Sequence, residues 1–337
     1  MKKWFAILLA LCVLMGSAIV TAESVYEIKN NTLYVYGTLD SLPDGEYDSI
    51  RVEDGATLSL TGEVWQDVTN YENINGGIFK GTVNNYKNIN GGTFYGTVTN
   101  YQNINGGTFF GPVNCCNGGD IHDGTFHGVV DQENSKIHDG VFTASSEVHN
   151  ARKSKITGGT FSGTVFNGNF GSYGGGQEGF ISGGTFTETS ELNNGRKGII
   201  SGGTFNGKVY YFIFVKIDEP QNGGTVVVSA DSTSEKKAVE GETVRLTVVP
   251  ENGLELSALT IADPDGNAVA LSKTSDSDYQ FTMPASIVHV TASFKECTTV
   301  PVLPPQTGDS SSPLLWLAMS LLSMAGILLL RKKAYSR

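Results

Sequence analysis

A 15-residue unit recurs almost unchanged from Asn70 onward, and no other feature restricts the fold so tightly. The first copy reads Asn70-Tyr71-Glu72-Asn73-Ile74-Asn75-Gly76-Gly77-Ile78-Phe79-Lys80-Gly81-Thr82-Val83, and the next two start at Asn85 and Asn100. Looser copies keep an Ile, a Gly-containing pair and a Phe: Ile121 to Phe126, Ile137 to Phe142, Ile156 to Phe161, Ile181 to Phe186 and Ile200 to Phe205. Helical repeats need more than about thirty residues each, and a Gly-Gly pair in an interior turn weakens a helix. A short period with occasional insertions is instead the pattern of a solenoid. Phe79, Gly81 and Val83 alternate with Lys80 and Thr82, which predicts a strand Phe-x-Gly-x-Val with its first set inward. The Gly-Gly pair before it supplies a corner with positive φ. Each repeat is then one turn of a parallel β-helix. Its Phe column (79, 94, 109, 126, 142, 161, 186, 205) and Ile column form the core, and Asn ladders at 70, 85, 100 and 73, 88, 103 satisfy the corners. Alternation over 26–68 predicts an N-terminal cap and irregular first turns, and the segment around Gly174-Gly175-Gly176 predicts a loop leaving one turn.

Near Tyr211 the repeat stops. Short alternating runs at 215–217, 225–229, 243–249, 256–261, 279–283 and 288–294 are separated by turn signals such as Gln221-Asn222-Gly223-Gly224 and Asp263-Pro264-Asp265-Gly266. Gly241-Glu242-Thr243-Val244-Arg245-Leu246-Thr247-Val248-Val249-Pro250, Tyr279-Gln280-Phe281-Thr282-Met283-Pro284 and Val288-His289-Val290-Thr291-Ala292-Ser293-Phe294 resemble the divergent internalin-type B-repeat. That resemblance implies a small β-sandwich or β-grasp-like module, used as a spacer or binder at bacterial surfaces and without an active-site pattern.

Both ends of the chain point out of the cytoplasm. Lys2-Lys3, an apolar stretch and Val20-Thr21-Ala22 read as a signal peptide cut after Ala22. At the other end a Pro-rich stalk leads to Leu303-Pro304-Pro305-Gln306-Thr307-Gly308, followed by a polar spacer, an apolar run over 314–330 and Arg331-Lys332-Lys333. At about 1.5 Å per residue this run just spans a bilayer, and the cations mark its cytoplasmic end. The order of features resembles the sorting signal of Gram-positive wall proteins, with its Leu-Pro-x-Thr-Gly pentapeptide. In register, Pro304 stands in the Leu position. The resemblance implies that a sortase cuts after Thr307 and joins it to peptidoglycan; uncut, the same tail holds the chain in the membrane. The expected organisation is therefore 1–22 signal peptide, 23–69 cap and first turns, 70–211 solenoid, 212–296 B-repeat module, 297–308 stalk with sorting motif, and 309–337 a single transmembrane helix with its basic tail. The overall class is all-β, a parallel β-helix followed by the small β module.

A net charge of −11 gives no attraction to nucleic acid or anionic lipid. Beyond the leader only Cys115, Cys116 and Cys297 occur, so no disulfide framework holds the fold; Cys115-Cys116 reads either as a vicinal disulfide or, as the favoured expectation, with Cys116 in a small core position. The three tightest repeats carry Glu72, Lys80 and Lys87 as their charges, with no pair of carboxylates recurring in one column, so neither an enzyme nor a cofactor is expected. A carbohydrate-active β-helix enzyme is the remote alternative; it requires Asp120, Asp123, Asp131 and Glu133 to converge in a groove. Two polar groupings stand out. His122, Asp123, His138 and Asp139 fall on adjacent turns as candidate metal ligands, weighed against solvated corner residues. Tyr95, Phe110 and His127 follow the core Phe with opposite parity, as an outward aromatic stripe suited to a glycan or a matrix protein. Thr82, Thr97, Thr93 and Thr108 form partial rows of the ice-binding kind, broken by Ile78 and Pro112. The leading expectation is a wall-anchored adhesin whose partners are sortase, peptidoglycan and an external glycan or matrix protein; a surface spacer without a ligand is the alternative.

Overall fold

A computed structural model describes residues 24–168, 177–231 and 236–297, and their regular structure is all β. Among them no helix is long and apolar enough to cross a membrane. The leader with Ala22, the Pro-rich stalk and sorting motif at 298–308, the apolar tail and most of the Gly-rich insertion lie outside the described residues.

The described residues begin with an antiparallel hairpin, Tyr26–Lys29 against Thr32–Val35, which covers one end of the ladder. From Thr32–Val35 the pairing is parallel: Ser49–Val52, Asp67–Asn70, Val83–Asn85, Val98–Asn100, Val113–Cys115 and onward to Lys208–Ile217 stack in order. Two shorter strands per turn, such as Asn88–Ile89 and Thr93–Phe94, form a second sheet. The result is a β-solenoid of about ten turns. The parallel turns thus begin well before Asn70.

The repeat folds this way because each column of the sequence becomes a ladder. The Phe rings stack with centroids 4.5–4.9 Å apart from Phe79 to Phe205, close to the strand spacing of a sheet. Phe79 through Phe186 and Ile74 through Ile181 are sealed from water. Asn70, Asn85 and Asn100 are fully buried; the Asn70 and Asn85 amides each donate to the next at 2.7 Å and to the corner carbonyls Asn88 O and Asn103 O, and the Asn100 amide, followed by Cys115, donates to Gln102 O at 2.9 Å. Gln132, Asn150, Asn167 and Asn194 continue that ladder. Asn73, Asn88 and Asn103 instead pair with one another on the outside.

Two expectations need correction. Phe-x-Gly-x-Val is a corner between strands, since one strand ends at Phe79 and the next begins at Val83. Gly81 and its equivalents turn the chain and stack backbone on backbone. The positive φ does fall on the second Gly of each pair: Gly77 130°, Gly92 115°, Gly107 114°. The small core position belongs to Cys115, which interrupts the Asn ladder, while Cys116 is half-buried. Burial pushes the Cys115 thiol up to about 12, so it behaves as a small apolar side chain.

Strand Lys208–Ile217 joins the two parts. Its first half extends the solenoid ladder, with Glu191 opposite Lys208, and its second half pairs with Val288–Glu296, with Ile213 opposite Val288. A second sheet runs Gly224–Ala230, Thr243–Pro250, Asp278–Thr282 and Ser272–Lys273. Val226, Leu246 and Phe281 from this sheet share one apolar core with Ile213, Val288 and Val290 from the other. That is a small sandwich.

Candidate functional surfaces

Strand parity assigns every second residue to the exterior, so the outer columns hold the chemistry. Tyr95, Phe110 and His127 lie where the alternation puts them, with rings stacked at 4.9 and 4.5 Å. Tyr95 and Phe110 are 47% and 44% exposed, Lys80 Nζ sits 3.6 Å from the Tyr95 ring centre, and His127 Nδ1 meets Thr143 Oγ1 at 3.1 Å. The rings cover much of one another's faces. The stacking leaves a ridge of partly exposed rings rather than a flat platform. At another corner Tyr71, Tyr86 and Tyr101 stack in the same way, with Arg51 over Tyr71.

The histidine pair forms as expected: His122 and His138 stack at 4.6 Å with planes 9° apart. The acids do not follow. Asp123 and Asp139 each cap their own corner, with Oδ1 accepting the N–H of Gly124 at 2.7 Å and of Gly140 at 2.8 Å. Asp120 joins the histidines instead, its Oδ2 lying 3.3 Å from His138 Nε2. Asp120 and His122 are two apart on one strand face, whereas Asp123 has already entered the corner.

A groove of about 630 Å³ on the long-ladder face was not anticipated as a site. Register aligns Thr99, Asn114, Asp131, His149 and Phe166 along its floor. His149 is held at both ring nitrogens, by Asp131 Oδ1 at Nδ1 and Glu147 Oε1 at Nε2, each at 2.5 Å. Phe166 meets His149 edge-on, and Arg152 pairs with Glu133 at 3.0 Å. Of the four acids whose convergence the enzymatic alternative requires, Asp131 and Glu133 line this groove and Asp120 lies with the histidines on the other sheet. The signal for the groove was the column Asn114, Asp131, His149, Phe166, which insertions at the corners displace from a constant spacing.

Hydrogen bonding from His149 holds the Asp131 carboxyl below its ordinary value against the opposing effect of burial. The Asp131 carboxylate, with help from Glu147, raises His149, again against burial. The raised His contributes stability at pH below about 6.5 and loses it as pH climbs through its folded value; the lowered Asp contributes above about 3.8 and loses it as pH falls. The pair therefore stabilises most in mildly acidic solution. Thermal melts of the full chain from pH 4 to 9 should show a midpoint that falls on the alkaline side. His149→Asn should flatten that fall, and an unchanged slope would contradict the assignment.

Downstream of the solenoid the two-sheet module supplies the clearest link to known proteins. Residues 218–298 match the divergent InlB B-repeat domain. This is a repeat family of surface proteins, and the match covers less than half of the chain, with the solenoid outside it. No curated protein and no solved structure matches the chain. The B-repeat module indicates a surface or extracellular protein.

Proposed function

We propose that this chain is a cell-surface adhesin whose solenoid binds a neutral oligosaccharide in the groove around His149, with the B-repeat module lifting it from the envelope. The observation that carries the reading is the groove itself. It is a concave site in which three carboxylates (Asp131, Glu133, Glu147), a guanidinium (Arg152) and an aromatic ring (Phe166) converge. Carboxylates and a guanidinium suit sugar hydroxyls, which both donate and accept, and the Phe166 ring suits the C–H face of a pyranose. The excess of carboxylates disfavours acidic sugars. The stripe Tyr95, Phe110 and His127 stands four residues before Thr99, Asn114 and Asp131 on the same turns, so at most about 14 Å of chain separates ridge from groove, and a long glycan reaches both. The resemblance of the tail to a sorting signal supports anchoring by sortase through Thr307 to peptidoglycan.

Binding without catalysis fits the acids better than hydrolysis does. A glycosidase needs one carboxyl kept protonated near neutrality beside an ionised one; Asp131 is lowered and suits only the ionised role, and both it and Glu147 are tied to His149.

Cells displaying the full chain should retain fluorescent oligosaccharides. The outer columns show which substitutions the fold tolerates: Asn193 stands in the Phe166 column and Thr164 in the Glu147 column. Phe166→Asn with Glu147→Thr should weaken retention about ten-fold or more. If only Tyr95→Ser with Phe110→Ser abolishes it, the ridge is the site and the groove reading is wrong. Wall attachment is checked separately: Thr307→Ala should shift the chain from the wall fraction to the membrane fraction.

A further inference from the structure

On the second sheet, away from the groove, two outer columns change character at the same turn. The first runs Asn73, Asn88, Asn103, Asp120. The second runs Asn75, Asn90, Asn105, and then His122 and His138, each directly after the paired Ile104, Ile121 and Ile137. While both columns are Asn they satisfy themselves, each amide donating to the Asn of the preceding turn at 2.8–3.1 Å. Such a ladder needs no ligand. Where Asn gives way to Asp and His, self-pairing ends. The stacked imidazoles have no donor–acceptor bond between them, and among the described residues the His122 ring has no hydrogen-bond partner. Asp120 Oδ1 is taken by the Lys136 N–H at 2.8 Å, which fixes the carboxyl and leaves Oδ2 turned toward His138.

We infer that Asp120, His122 and His138 form a zinc site across two adjacent turns. Their ligand atoms all lie within 4.8 Å of one another. A tetrahedral zinc bound at about 2.1 Å separates its ligands by about 3.4 Å, close to the 3.3 Å between Asp120 Oδ2 and His138 Nε2. The two rings are nearly parallel and a ring nitrogen binds a metal in the plane of its ring, so His122, which is exposed, must turn out of the stack to a second rotamer to complete the site. Two imidazoles with one carboxylate suit zinc better than calcium or magnesium, which take oxygen ligands. The Lys136 N–H on the bound carboxylate is the outer hydrogen bond that such ligands require. Three protein ligands leave a fourth position to water or a partner's side chain. The site ends at the next turn, where Thr157 replaces His and donates to Ile137 O at 3.0 Å, and Lys155 follows Lys136 in the other column.

The columns also supply the test, because Asn is what earlier turns carry at these positions. Zinc chloride titrated calorimetrically into the full chain should bind one ion per chain, with Kd of about 10 μM or tighter. His122→Asn with His138→Asn should fold normally and weaken binding about 30-fold or more, and Asp120→Asn about ten-fold. His289→Asn, in the B-repeat module, should leave it unchanged. Cobalt(II) in place of zinc should give the visible bands of a tetrahedral site in the wild type and not in the double variant. Zinc should raise the melting midpoint of the wild type alone. Failure of the folded wild type to saturate at one ion, or equal affinity in the double variant, overturns the site; neither result bears on glycan binding in the groove.

Discussion

Replacing Phe109 by alanine is expected to destabilise the solenoid by about 3–5 kcal/mol, the largest loss available from a single core position. Phe109 is fully buried between Phe94 and Phe126, with centroids 4.8 Å away on both sides. Its removal opens a cavity that neither neighbour can fill, because each ring is held in register by strand pairing to the turns beyond. A solenoid has few contacts other than those between neighbouring turns, so the damage is local and splits the column in two. Hydrogen exchange should show lost protection in the turns around Phe109 and retained protection near Phe161 and Phe186. A uniform loss along the chain would contradict the nearest-neighbour picture, and a loss under about 1 kcal/mol would contradict the ring stack as the core.

Gly96→Val should be at least as damaging, although nothing apolar is removed. A Cβ at Gly96 would lie 2.0 Å from the carbonyl oxygen of Gly81, 2.6 Å from its carbon and 3.0 Å from Lys80 O. Every one of these atoms is backbone, so relief requires the corners of adjacent turns to separate. Gly111 is as tight, with Gly96 O at 2.3 Å. Among the turns with a core Phe, two lack this glycine, with Ala144 and Glu188 in its place, and there the corner is longer: Val148 and Leu192 follow the core Phe by six residues instead of four. In those two turns the side chain is accommodated with extra chain, whereas Gln66, in the turn below Gly81, holds this position with the four-residue spacing of Val64 to Val68. The expected cost is about 3 kcal/mol or more, read from denaturant unfolding. Lengthening the Gly96 corner after the pattern of Thr143-Ala144-Ser145-Ser146 should recover part of it. A Gly96→Val chain as stable as the wild type would show that the corners do not pack as described.

How much of this was legible beforehand depended on the kind of signal. Inward and outward parity can be read from alternation, so the Phe, Ile and Asn columns and the outward set Tyr95, Phe110 and His127 needed only the repeat. The six longer strands of the B-repeat module were legible for the same reason, and the short Lys237–Val239 and Ser272–Lys273 were not. Corners were not. Gly81 looked like a strand residue because it shares the parity of Phe79 and Val83, yet its role comes from the carbonyls of the turn below. Asp120 and Asp123 are equally good ligands on paper. Only the backbone decides that Asp123 caps Gly124 while Asp120 stays on the strand face beside His138. The groove was hidden because Asp131, His149 and Phe166 are brought together across turns of unequal length, after the period has drifted.

In the proposed function the solenoid binds a neutral glycan in the groove around His149. The purified full chain on an array of neutral and acidic oligosaccharides tests it most directly, run beside the Phe166→Asn/Glu147→Thr variant. Saturable binding to a restricted set of neutral sugars is expected, inhibited by the same sugar in solution and lost in the variant. A folded wild type that binds no glycan on the array would contradict it and leave the solenoid as a spacer.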